Sequence, residues 1–282
     1  MKNLLFILFL VFSSMLNAQE SKSYYDTGEL NEVGMLEDGV PVGLWKKYYR
    51  SGQLELTVNL ERGQPVGEMK TYHKNGELAE IKSYENGKPN GLYKEYDDNG
   101  QLILVGNYVN DEEQGIWKKY YGSGVLKEIG AYNLGDREGE WKSYYENGKE
   151  KEIINYVQFR TEGPYKKFHP NGKLEEVGTY RDGMAFGKFK FYFDNGVLDS
   201  EGSIIQDKMD GEWSFYHTNG QLRQRILFQK GKLMDVISCF DGKGNRMDKG
   251  TLVNGNGTLK HYDIDGNLIT TEEFIDGELP LY

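Results

Sequence analysis

Side chains able to do chemistry are few in this chain, and their spacing keeps them apart. The histidines are His73, His169, His217 and His261, and the first three occupy one phase of a 24-residue period. Two strands per period, each about 4.8 Å from the next, advance the chain about 10 Å per repeat. His169 and His217 then stand about 20 Å apart, against metal–ligand bonds of about 2 Å. A histidine metal cluster or a histidine-centred active site is incompatible with a regular array. The same phase carries Tyr49, Asp97, Tyr121, Tyr145 and Phe193 in other repeats, which marks an exposed shoulder beside a turn.

Other candidates resolve the same way. Cys239 is the only cysteine, so it has no internal disulfide partner, and it is expected to pack near Phe240. Asp263-Ile264-Asp265-Gly266 resembles the start of a calcium loop, but no glutamate stands at the twelfth position and the segment falls on the ordinary turn phase. No phosphate-cradling glycine loop or nucleophile elbow is present. No residue is therefore assigned to catalysis, to a cofactor or to a metal, and the chain is expected not to be an enzyme. What remains is surface. Tyr49, Tyr121 and Tyr145 on the shoulder, and Lys46, Lys118 and Lys142 from a lysine phase, are the candidate binding surface.

The elements that position these residues follow from a glycine clock. Gly28, Gly52, Gly76, Gly100, Gly124, Gly148, Gly172, Gly196, Gly220 and Gly244 recur every 24 residues. Around them GLWKKYYRSGQL from Gly43, GIWKKYYGSGVL from Gly115 and GEWSFYHTNGQL from Gly211 are copies of one unit. A fixed period in this range signals a repeat array whose units bury apolar surface against their neighbours. Each unit divides into an aromatic-rich strand and a mixed strand, with Ser or Asn before the phase glycine. Glycine reaches positive φ freely and asparagine tolerates it, so a hairpin turn forms there. His169-Pro170-Asn171-Gly172 narrows the type. Proline suits the first position of a type I turn closed by a left-handed glycine and would disrupt a two-residue type I′ loop, so three-residue hairpin loops are predicted.

A second glycine phase, Gly43, Gly67, Gly91, Gly115, Gly139, Gly163, Gly187 and Gly211, is expected at the connections between hairpins. The predicted fold class is all-β: tandem β-hairpin repeats forming one long, twisted, curled antiparallel sheet. Three phases supply the core. Trp45, Trp117, Trp141 and Trp213 head one, Tyr48, Tyr72 and Tyr96 a second, and Leu54, Leu78 and Leu102 a third. Trp45 and Tyr48 are three apart and would face opposite ways on a regular strand, so either a bulge realigns them or both faces are partly covered. Glycines within the second strand, among them Gly34, Gly106, Gly130, Gly178 and Gly202, allow bulges or ring-on-backbone packing.

The ends of the chain differ. Residues 1–18 carry Lys2, an apolar run from Leu4 to Phe12 and a small residue at Ala18, the anatomy of a secretory signal peptide. Residues 19–238 form the array, and 239–282 an irregular cap, because the spacing from Gly244 to Gly266 falls short by two residues. That loss is placed in the second strand or following loop of its repeat. The expected location is exported: periplasmic, outer-membrane-associated or secreted, with no transmembrane segment after signal removal. Acidic residues outnumber basic ones 44 to 34 for a net charge of −10, which disfavours nucleic acid and anionic membrane as partners.

The unit G-x-W-K-x-Y-Y-x-x-G-x-L, followed by V-G-x-Y and a glycine loop, resembles the MORN-repeat variant of bacterial YwqK-family antitoxin-like proteins. The resemblance extends from about Tyr24 to Tyr282 and implies protein scaffolding or toxin neutralisation. A weaker resemblance, confined to the first strand, is to aromatic cell-wall-binding hairpins of the G-x-W-Y-Y type and implies an envelope glycan ligand. The expected function is an exported, non-enzymatic module that binds or scaffolds another protein in the cell envelope. A toxin-neutralising partner and a glycan binder stand as alternatives.

Overall fold

The computed structural model describes residues 18–280. The signal-peptide reading, apart from Ala18, lies outside the described residues. The chain divides into two compact units, residues 1–101 with 108–111 and residues 102–107 with 112–282. Both are all-β, and no helix occurs among the described residues. In each unit the strands follow chain order as antiparallel hairpins.

One repeat of the first unit shows the plan. The strand Val40–Tyr48 returns as Leu54–Glu61. Between them the Tyr49 N–H donates to Gln53 O and the Gly52 N–H to Tyr49 O, each at 2.8 Å, with Gly52 at φ 86°. This is the predicted three-residue loop with a left-handed glycine, and Pro170 takes its expected place before Gly172 in the second unit, where Gly172 N–H meets His169 O at 2.8 Å. The asparagine has a different task from the one expected. Asn75, Asn147 and Asn171 do not take positive φ. Their Oδ1 atoms accept from the backbone two residues on, and their Nδ2 atoms donate to Asp98 O, Pro170 O and Asp194 O of the next turn.

The second glycine phase is not the connection. Consecutive hairpins are joined by two-residue turns such as Asp38-Gly39, with φ of 51° and 79°, closed by the pair Glu37 and Val40. Both residues left-handed is the type I′ arrangement, whose twist matches that of the strands. Gly43 lies within the strand at φ 68°. There Met35 pairs with Val42 and Val33 with Lys46, so three residues, Gly43 to Trp45, face Gly34 alone. Gly139 to Trp141 face Gly130 in the same way. The bulge carries the indole onto the backbone of the preceding strand: a Cβ on Gly34 would lie 2.2 Å from Trp45 Cδ2, and one on Gly130 2.0 Å from Trp141 Cδ2. Trp141 Nε1 then donates to Ala131 O at 3.1 Å and Trp213 Nε1 to Ser203 O at 3.0 Å.

The bulge ends at the Trp position, and the further register shift near the loop falls on the returning strand, where Lys47 pairs with Leu56 but Tyr48 with Leu54. Trp45 and Tyr48 thus lie on a regular stretch and point to opposite faces, and both faces are partly covered. The Trp face holds the core. Trp117 and Trp141 are 4% exposed, Phe189 1% and Trp213 fully buried. A row not anticipated from the sequence, Tyr132, Tyr156 and Tyr180, wedges between the rings. Trp117–Tyr132, Tyr132–Trp141 and Trp141–Tyr156 meet edge-on at 5.9, 5.0 and 6.3 Å, the geometry that aromatic quadrupoles favour. The other face carries the half-buried Tyr–Leu pairs, such as Tyr216 with Leu222.

The C-terminal end closes with a different device. No strand forms between Gly244 and Gly257, and a separate hairpin, Gly257–Tyr262 with Leu268–Phe274, follows. Leu252, Leu259 and Phe274 pack on Ile226, Leu233 and Val236 of the last hairpin. Gln224 Nε2 reaches Lys260 O at 3.0 Å. Cys239 is buried here, and burial pushes its thiol above the ordinary range.

Candidate functional site

The shoulder phase is a clasp between repeats. Tyr49 Oη donates to Tyr72 O at 2.7 Å, Tyr121 Oη to Tyr144 O at 2.8 Å and Tyr145 Oη to Phe168 O at 2.7 Å. His73, His169 and His217 make the same link through Nε2 to Tyr96 O, Tyr192 O and Phe240 O, at 2.9, 2.8 and 3.0 Å. Tyrosine and histidine alternate because each brings a donor to the same carbonyl. The shoulder is accordingly half-buried, not exposed, and His217 is 6% exposed. Asp97 cannot donate; its Oδ1 accepts from the N–H groups of Asn99 and Gln101 and caps its own loop.

The lysines stand on the face opposite the indoles. Lys142 pairs with Glu140 at 3.0 Å, and its hydrogen bond to that carboxylate raises its pKa; Lys46 is half-exposed and Lys118 exposed. Lys70 and Lys190 of the same phase pair with Glu68 and Glu201, each at 3.0 Å. Such exposed pairs contribute little to stability. The row is charge-compensated at these positions, and the candidate tyrosines and lysines converge on no single point.

Among the described residues no group of three His, Cys, Asp or Glu side chains could hold a metal. Asp263 Oδ1 accepts from Asp265 N and Asn267 N, at 3.0 and 2.8 Å, so the calcium-like segment is a turn. These hydrogen bonds, led by that from the Asn267 side chain, hold the Asp263 carboxyl below its usual range.

One polar recess on the indole face escaped the sequence reading. Glu113, Lys119, Glu128 and Arg137 gather over Trp117, Tyr132 and Trp141 around about 180 Å³. The Arg137 guanidinium lies 3.8 Å from the Trp141 ring centre and 3.0 Å from Glu128. Burial raises the Glu113 carboxyl, an effect Arg137 opposes. The signal lay in the repeat itself, for the phase of Arg137 holds Pro41, Pro65, Pro89, Glu113, Thr161, Ala185 and Met209 elsewhere. The indoles beneath are buried and the guanidinium covers one of them, so the recess offers no open aromatic shelf.

No curated protein matches the chain. Among solved structures it is similar to TcdB2-TccC3 without the hypervariable C-terminal region, at 13% identity over 94% of this chain and 16% of that one, with a TM-score of 0.20. It is similar also to the Photorhabdus luminescens Tc holotoxin pore, at 12% identity over 92% and 16%, with a TM-score of 0.20. The chain spans 16% of the length of each of these two proteins. The sequence profile of the MORN repeat variant matches residues 41–61, 65–86, 89–110, 113–133, 137–158, 161–182, 187–205 and 209–230. Every matched segment except 187–205 begins within one or two residues of the start of a strand that opens a bulged hairpin, and 187–205 begins three residues into the strand Met184–Tyr192. With most of its length covered in this way, the chain belongs to the MORN repeat variant family.

Proposed function

We propose that this MORN repeat protein is an exported, non-enzymatic module that binds another protein. The observation that carries the reading is the fate of its reactive side chains. Each shoulder tyrosine and histidine is tied to the neighbouring repeat, and like residues recur along lines instead of converging. What such an array presents is surface, repeated on both faces and along two rows of turns. Export rests on the sequence of residues 1–18, with its basic Lys2, apolar run and small residue at Ala18.

The test is fractionation of the source bacterium, with mass spectrometry of the chain's N-terminus and crosslinking in the envelope fraction. The reading expects a chain shortened by about 18 residues, as the signal anatomy requires, and crosslinked to protein. A full-length chain confined to the cytoplasm ends the export reading. Retention on isolated envelope polysaccharide with no protein crosslink replaces protein binding with glycan binding. Crosslinking to a toxin encoded by the adjacent gene would favour the neutralising role.

A further inference from the structure

The two-residue turns along one edge of the second unit are unequal. Their second position is left-handed and holds Gly135, Gly183 and Gly231, or Asp207, which tolerates that conformation. In one turn it holds Phe159 at φ 58°, preceded by Gln158 at φ 48°. The neighbouring turn places Leu134 at φ 52°. The first position is left-handed in the other turns too, Arg62, Gln206 and Lys230 included, so the strain peculiar to this edge is that of bulky Phe159 at the second position. A bond is missing as well. The Gly135 N–H donates to Glu113 O and the Gly183 N–H to Thr161 O, both at 3.0 Å, but no such bond joins Phe159 to Arg137 among the described residues.

Among the described residues the one contact that offsets these costs is the Arg160 guanidinium, 5.8 Å from the Phe159 ring centre and itself more than half exposed. Phe159 is 62% exposed, Leu134 67% and Val157 50%. The turns of the first unit at Glu37-Asp38-Gly39, Glu61-Arg62-Gly63 and Glu85-Asn86-Gly87 are polar, so the apolar trio is not a requirement of the repeat. A recess of about 360 Å³ lies between the Leu134 and Phe159 turns. Local rules broken with so little internal compensation mark sites kept for binding.

We propose that the adjacent turns Leu134-Gly135 and Gln158-Phe159 form an apolar knob that docks into a protein partner, whose cleft is apolar and flanked by lysine or arginine. This rests on the protein-binding reading and locates it. Charge selects the partner. Asp136 and Glu138 are exposed beside the knob, whereas Arg137 is drawn inward to Glu128, and Arg160, the one cation over the Phe159 ring, is balanced by Asp182 at 3.7 Å. The rim is thus acidic, and a second copy of this chain would set Asp136 and Glu138 against their like.

The experiment places a photocrosslinking amino acid at position 134 or 159 of the full chain in the source bacterium. Positions 62, 230 and 44 serve as exposed controls. The expected result is capture of one protein from 134 and 159, through a peptide of apolar residues beside Lys or Arg, with at least tenfold less capture at the controls. Capture at 134 should fall at high salt and in Phe159→Gly. That substitution should also raise the melting temperature by a few degrees, because glycine relieves the left-handed strain. Capture at the controls but not at 134 or 159 overturns this surface and leaves protein binding standing; capture nowhere removes both. A polar or acidic captured peptide, a self-crosslink, or a lower melting temperature for Phe159→Gly each overturns the knob.

Discussion

The hydroxyl of Tyr145 lies 2.7 Å from the carbonyl oxygen of Phe168, and this bond couples one repeat to the next through a side chain whose type alternates with histidine. Tyr145→Phe keeps the ring and strands a half-buried carbonyl, so it should cost about 1 kcal/mol in urea unfolding. Tyr145→His, which restores a donor, should recover most of that loss; equal destabilisation by both would show that the phenol ring, not its bond, is what matters. Glu176 is a second single-residue case, with the opposite sign. Burial, reinforced by Glu175 and Glu152, holds its carboxyl above the ordinary range, although Lys167 opposes the shift. A raised folded pKa means that the folded state binds the proton more tightly, so this group's contribution falls as pH rises from about 4.3, the ordinary glutamate value, to the raised one. Glu176→Gln should therefore raise the melting temperature at pH 7 and change it little below about pH 4. A drop at pH 7 would mean that the carboxylate is held by a partner the packing does not reveal. The candidate site was legible in the sequence only as a list of residues. The phase of Tyr49, Tyr121 and Tyr145 was plain, but their bonds reach a carbonyl 23 residues on, and a bond between backbone and side chain leaves no second residue type to recognise.

At the scale of the element, the loop could be derived because Pro170 admits one turn type, while the bulge could not. Gly43 reads as another turn glycine until the pairing of Val33 with Lys46 shows three residues opposite one. A sequence-level trace of that packing nevertheless exists, eleven residues apart. Gly34, Gly106, Gly130 and Gly202 precede Trp45, Trp117, Trp141 and Trp213, and Gly178 precedes Phe189. Where the first position is Val58, Lys82 or Ile154, the second is Met69, Tyr93 or Tyr165. Every tryptophan thus sits on a glycine, because a Cβ would occupy the volume of the indole. Gly130→Ala should cost about 3 kcal/mol, as overpacking of a rigid ring against a strand does. Gly130→Val with Trp141→Met copies the pairing of Val58 and Met69, and should be more stable than the sum of the single changes by about 1 kcal/mol or more. Strict additivity in a double-mutant cycle would show that the eleven-residue coupling is an accident of the sequence.

Across the whole molecule, stability should divide into a repeated part and a terminal part. In a nearest-neighbour array each hairpin needs only a compatible surface on either side. Excision of residues 184–207 joins Gly183 to Lys208, a junction that preserves the two-residue turn Asp182-Gly183. Trp213 would then lie on Gly178, which now carries Phe189, in place of Gly202. Both are glycines, so the indole finds the bare backbone it requires, and Tyr180 can meet it edge-on as Tyr132 meets Trp141. The shortened chain should fold with the same circular dichroism per residue and unfold at a lower urea concentration. Removal of residues 240–282 deletes fewer than two repeats' length of chain but takes away Leu252, Leu259 and Phe274, which cover Ile226, Leu233 and Val236. It should leave an apolar end on the last hairpin and produce an aggregating protein by sedimentation velocity. If the truncated chain were monomeric and the excised chain insoluble, the stability would reside in one specific hairpin and not in the terminal seal, because a nearest-neighbour array loses little when one compatible unit is taken from its interior and much when an unsealed face is left at its end.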